Sequence, residues 1–146
     1  MILPLALVLA GNTIGAKIAA PGDQGRLKGI DAPSPVRAIV GRACADCHSS
    51  ETKWPWYSNI PPVSWQIRGD VQNARAFMDL SQWNDYTAEE RRGFAAQIAR
   101  ATRAHVMPPP KYLWMHPDAR LSDSELGVLK EWALGHSGQG RTDRSH

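Results

Sequence analysis

The chain has few of the residues that build small stapled or β-rich domains. Among its 146 residues there are only two cysteines, two phenylalanines and three tyrosines. No second Cys/His pair stands at finger spacing, so the roughly four ligands of a structural zinc site cannot be assembled. No segment alternates strongly enough to read as a strand and no hairpin signal is credible, which removes the βαβ setting of a thioredoxin-like redox pair. No basic run is interleaved with aromatics, so nothing points to nucleic acid. Neither sign of charge dominates: 17 Lys and Arg stand against 14 Asp and Glu, a formal net charge of +3. There is no internal repeat.

The two cysteines that are present carry most of the information. They lie in Cys44-Ala45-Asp46-Cys47-His48, a C-x-x-C-H motif of the kind to which c-type haem is attached. Two intervening residues make about one helical turn. That spacing spreads two thiols along one haem edge for thioether formation and points the next residue, His48, at the iron as proximal ligand. The implied cofactor is one haem c, covalently bound through Cys44 and Cys47.

Helical signals surround the motif. Ser34-Pro35 reads as N-cap and N1 proline of a helix running through Val36, Val40 and Ala43 into the motif. A second helix is expected from about Val63 to Leu80, with Trp65, Val71, Phe77 and Met78 on its apolar side. Thr87-Ala88-Glu89-Glu90 and Ser122-Asp123-Ser124-Glu125 are capping boxes. The first opens a helix through Phe94, Ile98 and Ala101, which must end before Met107-Pro108-Pro109-Pro110. The second opens a helix whose apolar face is Leu126, Leu129, Trp132 and Ala133. The class is all-α, with about four helices packed around one haem.

The apolar run Ile2 to Gly11 has the size of a signal-peptide core and is too short for a comfortable membrane span. No Lys or Arg precedes it and no clean A-x-A cleavage site follows. We expect residues 1–20 to be a signal peptide or N-terminal membrane anchor, 21–33 a linker, 34–136 the haem-binding domain and 137–146 a disordered tail. The expected location is the periplasm, or the periplasmic face of the inner membrane with the N-terminus in it.

The iron's second axial position decides between electron transfer, gas binding and catalysis. Met107 is the first choice, because the prolines after it restrict the loop that would present its thioether. His105, Met115, His116 and an open position remain alternatives. Pro61 is expected to accept the His48 Nδ1–H through its carbonyl. Trp54, Trp56 and Trp65 are expected to wall the haem, with an indole N–H reaching a propionate. Arg42 and Lys53 are candidate propionate partners.

Two resemblances rest on these residues. C-x-x-C-H on an N-terminal helix, a later Met-Pro-Pro loop and Leu-Ser-Asp-Ser-Glu opening a C-terminal helix resemble small class I bacterial cytochromes c, whose terminal helices cross beside the haem edge. The run from Cys44 through Trp54-Pro55-Trp56-Tyr57-Ser58-Asn59 to Trp65, with Met-Pro-Pro-x-x-Tyr and His-Pro-x-Ala-Arg-Leu-Ser further on, is similar to the bacterial haem-binding domain family over about residues 34 to 134. That resemblance implies a cytochrome-c-like fold and covalent haem at Cys44, Cys47 and His48. It implies no particular reaction. Met107 follows by analogy with class I cytochromes, from which the longer segment between His48 and Met107 departs. The expected function is electron transfer with a partner protein the sequence does not identify, and a non-catalytic role is favoured. The alternatives are a haem sensor with a displaceable distal ligand and a small peroxidase recruiting His105 or Arg103.

Overall fold

A computed structural model of the chain describes residue 27 and residues 29–138. The expected signal or anchor at 1–20 and residues 139–146 of the expected 137–146 tail lie outside the described residues. Within them there are six α-helices: α1 Ser34–Ala43, α2 Ala45–His48, α3 Val63–Phe77, α4 Ala88–Arg103, α5 Pro110–Met115 and α6 Asp123–Gly138. Three 3-10 turns, Trp56–Asn59, Leu80–Asp85 and Pro117–Ala119, join them. No strand occurs among the described residues. The domain is all-α, consistent with a small cytochrome-c-like fold, and no described helix is long and apolar enough to cross a membrane.

The core forms where α4 and α6 pack together and α1 leans on α6. Trp83, Tyr86, Phe94 and Trp132 make a linked aromatic cluster with ring centroids 4.8 to 6.5 Å apart. Leu80, Ala95, Ile98, Leu129 and Ala133 fill the space around it. The expected apolar face of the last helix is thus found, with Leu129, Trp132 and Ala133 buried and Leu126 half-buried.

Both capping boxes form. Thr87 N–H donates to Glu90 Oε2 at 2.7 Å while Glu90 N–H donates to Thr87 Oγ1 at 3.2 Å. Ser122 N–H donates to Glu125 Oε2 at 2.9 Å and Glu125 N–H to Ser122 Oγ at 3.3 Å. The other Glu125 oxygen takes a 2.6 Å ion pair from Arg42, so one carboxylate caps α6 and holds it against α1. Burial works to raise the Glu125 pKa. The Ser122 backbone N–H, the Arg42 charge and their side-chain hydrogen bonds outweigh it, leaving the group below the ordinary glutamate value.

Several boundaries differ from expectation, each for a local reason. Pro33, not Ser34, takes the N-cap of α1: its carbonyl accepts from Arg37 N–H at 3.1 Å, and Ser34 makes no capping bond. The helix through the motif bends at Cys44 (φ −121°, ψ −34°), dividing α1 from α2. Helix α3 stops at Phe77 because Asp79 starts the next turn, its Oδ1 accepting from Ser81 N–H at 2.8 Å. Part of the expected linker belongs to the core: Leu27 is 1 % exposed and Ile30 3 %. Gly29 lies between them at φ +84°, and any side chain there would run into Asn84. Helix α5 was not anticipated; the proline run that closes one helix supplies the N1 proline of another at Pro110.

Helix α4 ends in a reversal that matters for the site. His105 N–H donates to the Thr102 carbonyl at 3.0 Å and Val106 N–H to the Ala101 carbonyl at 3.1 Å, the two bonds of a Schellman cap. His105 holds the left-handed position of that cap (φ 55°), where glycine is unstrained. His105→Gly should therefore stabilise the protein by about 0.5–1 kcal/mol, the relieved strain less the added chain entropy, read as a higher denaturant midpoint at unchanged slope. Glu125→Gln should destabilise at neutral pH. Because the folded pKa is depressed, that difference should persist above the ordinary glutamate range and vanish as pH falls through the folded value, as paired denaturation curves at several pH values will show.

Candidate functional site

Helix α2 is four residues long, too short to persist on its own hydrogen bonds. Its carbonyls are taken up by side chains from the segment just beyond it. Ser49 Oγ donates to the Ala45 carbonyl at 2.6 Å and Thr52 Oγ1 to the Asp46 carbonyl at 2.8 Å. Arg75 of α3 donates through Nε to the Ser49 carbonyl at 2.8 Å and through its terminal nitrogen to Thr52 Oγ1 at 2.7 Å. The stretch after the motif is thus the scaffold of α2.

On this scaffold His48 Nδ1 lies 3.0 Å from the Met78 carbonyl. A carbonyl only accepts, so the proton is on Nδ1 and the neutral ring's lone pair is on Nε2. The expected partner, the Pro61 carbonyl, is not used. Met78 terminates α3 in extended conformation, its N–H donating to the Ala74 carbonyl at 2.9 Å, and this turns its own carbonyl toward α2.

Cys44, Cys47 and His48 lie on the wall of a cavity of about 530 Å³, within the range of ligand and cofactor pockets. Asp70, Asn73, Ala74 and Phe77 of α3 form a second wall, and Gln97, Ile98, Ala101 and Thr102 of α4 a third. Thr102 fits an apolar lining because its hydroxyl is spent on the Ile98 carbonyl at 2.8 Å. The Schellman reversal then brings Val106, Met107, Pro108 and Pro109 along the cavity, followed by Lys111 and Tyr112 of α5. Met107 thus lines the same cavity as the C-x-x-C-H residues.

The other candidates do not. His105 and Met115 are exposed and outside the lining. The His116 ring stacks on Tyr112 at 4.0 Å and 13°. Its Nδ1 is 3.3 Å from the Tyr112 carbonyl and its Nε2 3.5 Å from Tyr57 Oη. Trp54, Trp56 and Trp65 do not wall the cavity; they are 50, 75 and 70 % exposed. Trp65 is turned away because it sits roughly 140° around α3 from the cavity-lining Asp70. Arg42 is committed to Glu125, and Lys53 is exposed outside the lining.

Sequence reasoning passed over Asp46, Arg75, Met78 and Tyr112. Tyr112 donates from its hydroxyl to Asp46 Oδ2 at 2.9 Å, and Lys53 N–H reaches Asp46 Oδ1 at 3.4 Å. The spacing Met-Pro-Pro-x-x-Tyr was the one available signal for Tyr112. Burial, then the Asp46 charge and its hydrogen bond, push the Tyr112 phenol well above its ordinary pKa, so it stays a donor.

Residues 16–134 match the family described as haem-binding domain. Neither the comparison with curated proteins nor that with solved structures finds a match.

Burial, with the Cys47 charge adding to it, pushes the Cys44 thiol up to about 12. Cys47 is also raised, by burial and then by Asp46 and Asp70. Both thiols are therefore protonated at neutral pH in the haem-free chain. Alkylation by iodoacetamide should be slower than for a free cysteine at pH 7.5 and keep accelerating well above pH 8.5, where a free thiol levels off; mass spectrometry of timed samples reads this at each cysteine.

Proposed function

The chain belongs to the haem-binding domain family, and from that premise we propose that it is a c-type cytochrome that holds one haem through Cys44 and Cys47 and carries electrons in the periplasm or at the periplasmic face of the inner membrane. The observation that supports this most directly is the convergence of both thiols, His48 and Met107 on one largely apolar cavity of about 530 Å³. The donor set fits a haem: two unpaired thiols, an imidazole whose Nδ1 is already engaged, and a thioether on the same cavity.

In this reading each residue has a defined task. Cys44 and Cys47 would hold a haem as thioethers, each S–H bond and vinyl π bond giving way to one S–C and one C–H bond with no net redox change. His48 offers Nε2 as proximal ligand, its ring orientation set by the Met78 carbonyl. Met107 would offer a neutral, soft thioether from the connection between α4 and α5, and the largely apolar lining would limit water beside the group. When bound, haem supplies a one-electron iron couple, whose potential a Met/His pair raises. A redox protein is the partner, and the N-terminal apolar run provides export or membrane attachment.

A second reading is a sensor with a displaceable distal ligand, since Met107 sits on the connection between α4 and α5 and not within a helix. A peroxidase role has less support, since neither Arg103 nor His105 lines the cavity.

The test is the visible spectrum of the purified ferrous holoprotein with and without carbon monoxide, together with acid–acetone extraction. The carrier reading expects haem that resists extraction and a spectrum that carbon monoxide leaves unchanged. It also expects Met107→Ala to bind carbon monoxide rapidly. Extractable haem would overturn the covalent assignment, and a rapid carbon monoxide adduct of the unaltered protein would overturn the carrier in favour of the sensor.

A further inference from the structure

The loop bearing Met107 has little to hold it in place by itself. Between the end of α4 at Arg103 and the start of α5 at Pro110 it makes one reversal and then a run of prolines. Helix α5 has six residues, too few to be stable on propensity alone. What fixes this segment is a set of side-chain ties to the opposite side of the cavity. Tyr112 Oη donates to Asp46 Oδ2 at 2.9 Å. Lys111 Nζ pairs with Asp70 Oδ2 at 2.8 Å. His116 lies flat on Tyr112, donates from Nδ1 toward the Tyr112 carbonyl, and accepts at Nε2 from the Tyr57 hydroxyl.

Resting on the reading of Met107 as distal ligand, we propose that Tyr112 and Asp46 form a clasp: positioning residues that hold the Met107 loop closed over the haem cavity and set how readily the distal ligand is displaced. Asp46 stands between the two cysteines, so the turn that carries the thioether sites also anchors the far side of the cavity. Tyr112 follows Met107 by five positions, three of them proline. A segment with so many fixed φ angles transmits a shift at Tyr112 to Met107 and does not absorb it. The ties are unequal. Lys111 and Asp70 are each about half exposed, where ion pairs contribute little. The Tyr112–Asp46 bond is partly buried and has a charged acceptor, which makes it the stronger restraint. It acts at a step other than the chemistry of electron exchange: it governs the opening of the loop, and so the boundary between a closed carrier and a ligand-accepting sensor.

The experiment follows imidazole displacing the distal ligand in the ferric holoprotein, by stopped flow, together with the weak ferric charge-transfer band that marks a thioether ligand. Tyr112→Phe keeps the ring and its stack on His116 and removes only the hydroxyl. It should raise the displacement rate about tenfold and weaken the band. Asp46→Ala should do the same from the other partner, which keeps the test decisive if one variant loads haem poorly. The double variant should be no faster than Asp46→Ala alone, because removing the carboxylate already leaves the Tyr112 hydroxyl without its acceptor. Lys111→Met should change the rate by about twofold or less. Unchanged rates in Tyr112→Phe and Asp46→Ala, or effects that multiply in the double variant, would overturn the clasp. Met107→Ala separates this from the reading beneath it. If that variant keeps the original rate and band, Met107 is not the ligand. The clasp then stands or falls as a gate on access, by whether Tyr112→Phe still accelerates imidazole entry.

Discussion

The hydrogen bond from His48 Nδ1 to the Met78 carbonyl, 3.0 Å long, is the constraint on which the rest of the site depends. It joins the end of a four-residue helix to the end of a fifteen-residue one, and it decides which imidazole nitrogen is left to face the cavity. For that carbonyl to be available, α3 must stop at Phe77 and Met78 must be extended. That in turn depends on Asp79, whose side chain caps the next turn at Ser81 and whose N–H donates to Tyr86 Oη at 2.9 Å. Tyr86 packs against Trp83 and Phe94. The orientation of a ring at the site is thus set through three hydrogen bonds that lead back to the aromatic core.

A cofactor-sized cavity sets a constraint on a domain this small, because the helices that line it must pack on other faces. The chain keeps the walls apart by placing its packing elsewhere. Helix α4 serves both purposes along its length: Phe94 and Ala95 enter the core, Ala101 and Thr102 line the cavity, and Ile98 belongs to both. Arg75 ties α3 to Ser49 and Thr52 behind α2, and lining residues are tied to one another by polar contacts at the rim, Lys111 with Asp70 and Tyr112 with Asp46. Rim contacts restrain the opening without filling it.

Patterns that act within one helix were legible in the sequence. Thr87 with Glu90 and Ser122 with Glu125 mark helix starts because a capping box is complete in four residues. The apolar face of α6 could be read because its period is local. Cys44, Cys47, His48 and Met107 could be named and are found on one cavity. What could not be read depends on long-range placement. The partner of His48 is a backbone carbonyl thirty residues away, and any residue type could have supplied it. Trp54, Trp56 and Trp65 were natural candidates for a haem wall, because large aromatics are usually buried. Here they face outward, and the bulk of the core comes from Trp83 and Trp132. Glycine, proline and charge around Leu27 and Ile30 suggest looseness, whereas these two side chains, on either side of Gly29, are buried in the core.

The aromatic cluster has a consequence for how this protein can be observed. Trp83, Tyr86, Phe94 and Trp132 are linked through ring contacts of 4.8 to 6.5 Å in non-parallel orientations, an asymmetric packing that gives folded proteins their near-ultraviolet circular dichroism. A haem in the cavity absorbs in the visible, at the other end of α4. The aromatic core and the cavity therefore carry separate optical reporters. Their transitions coincide if the molecule opens as a unit, and part company if the cavity loosens while the core stays folded.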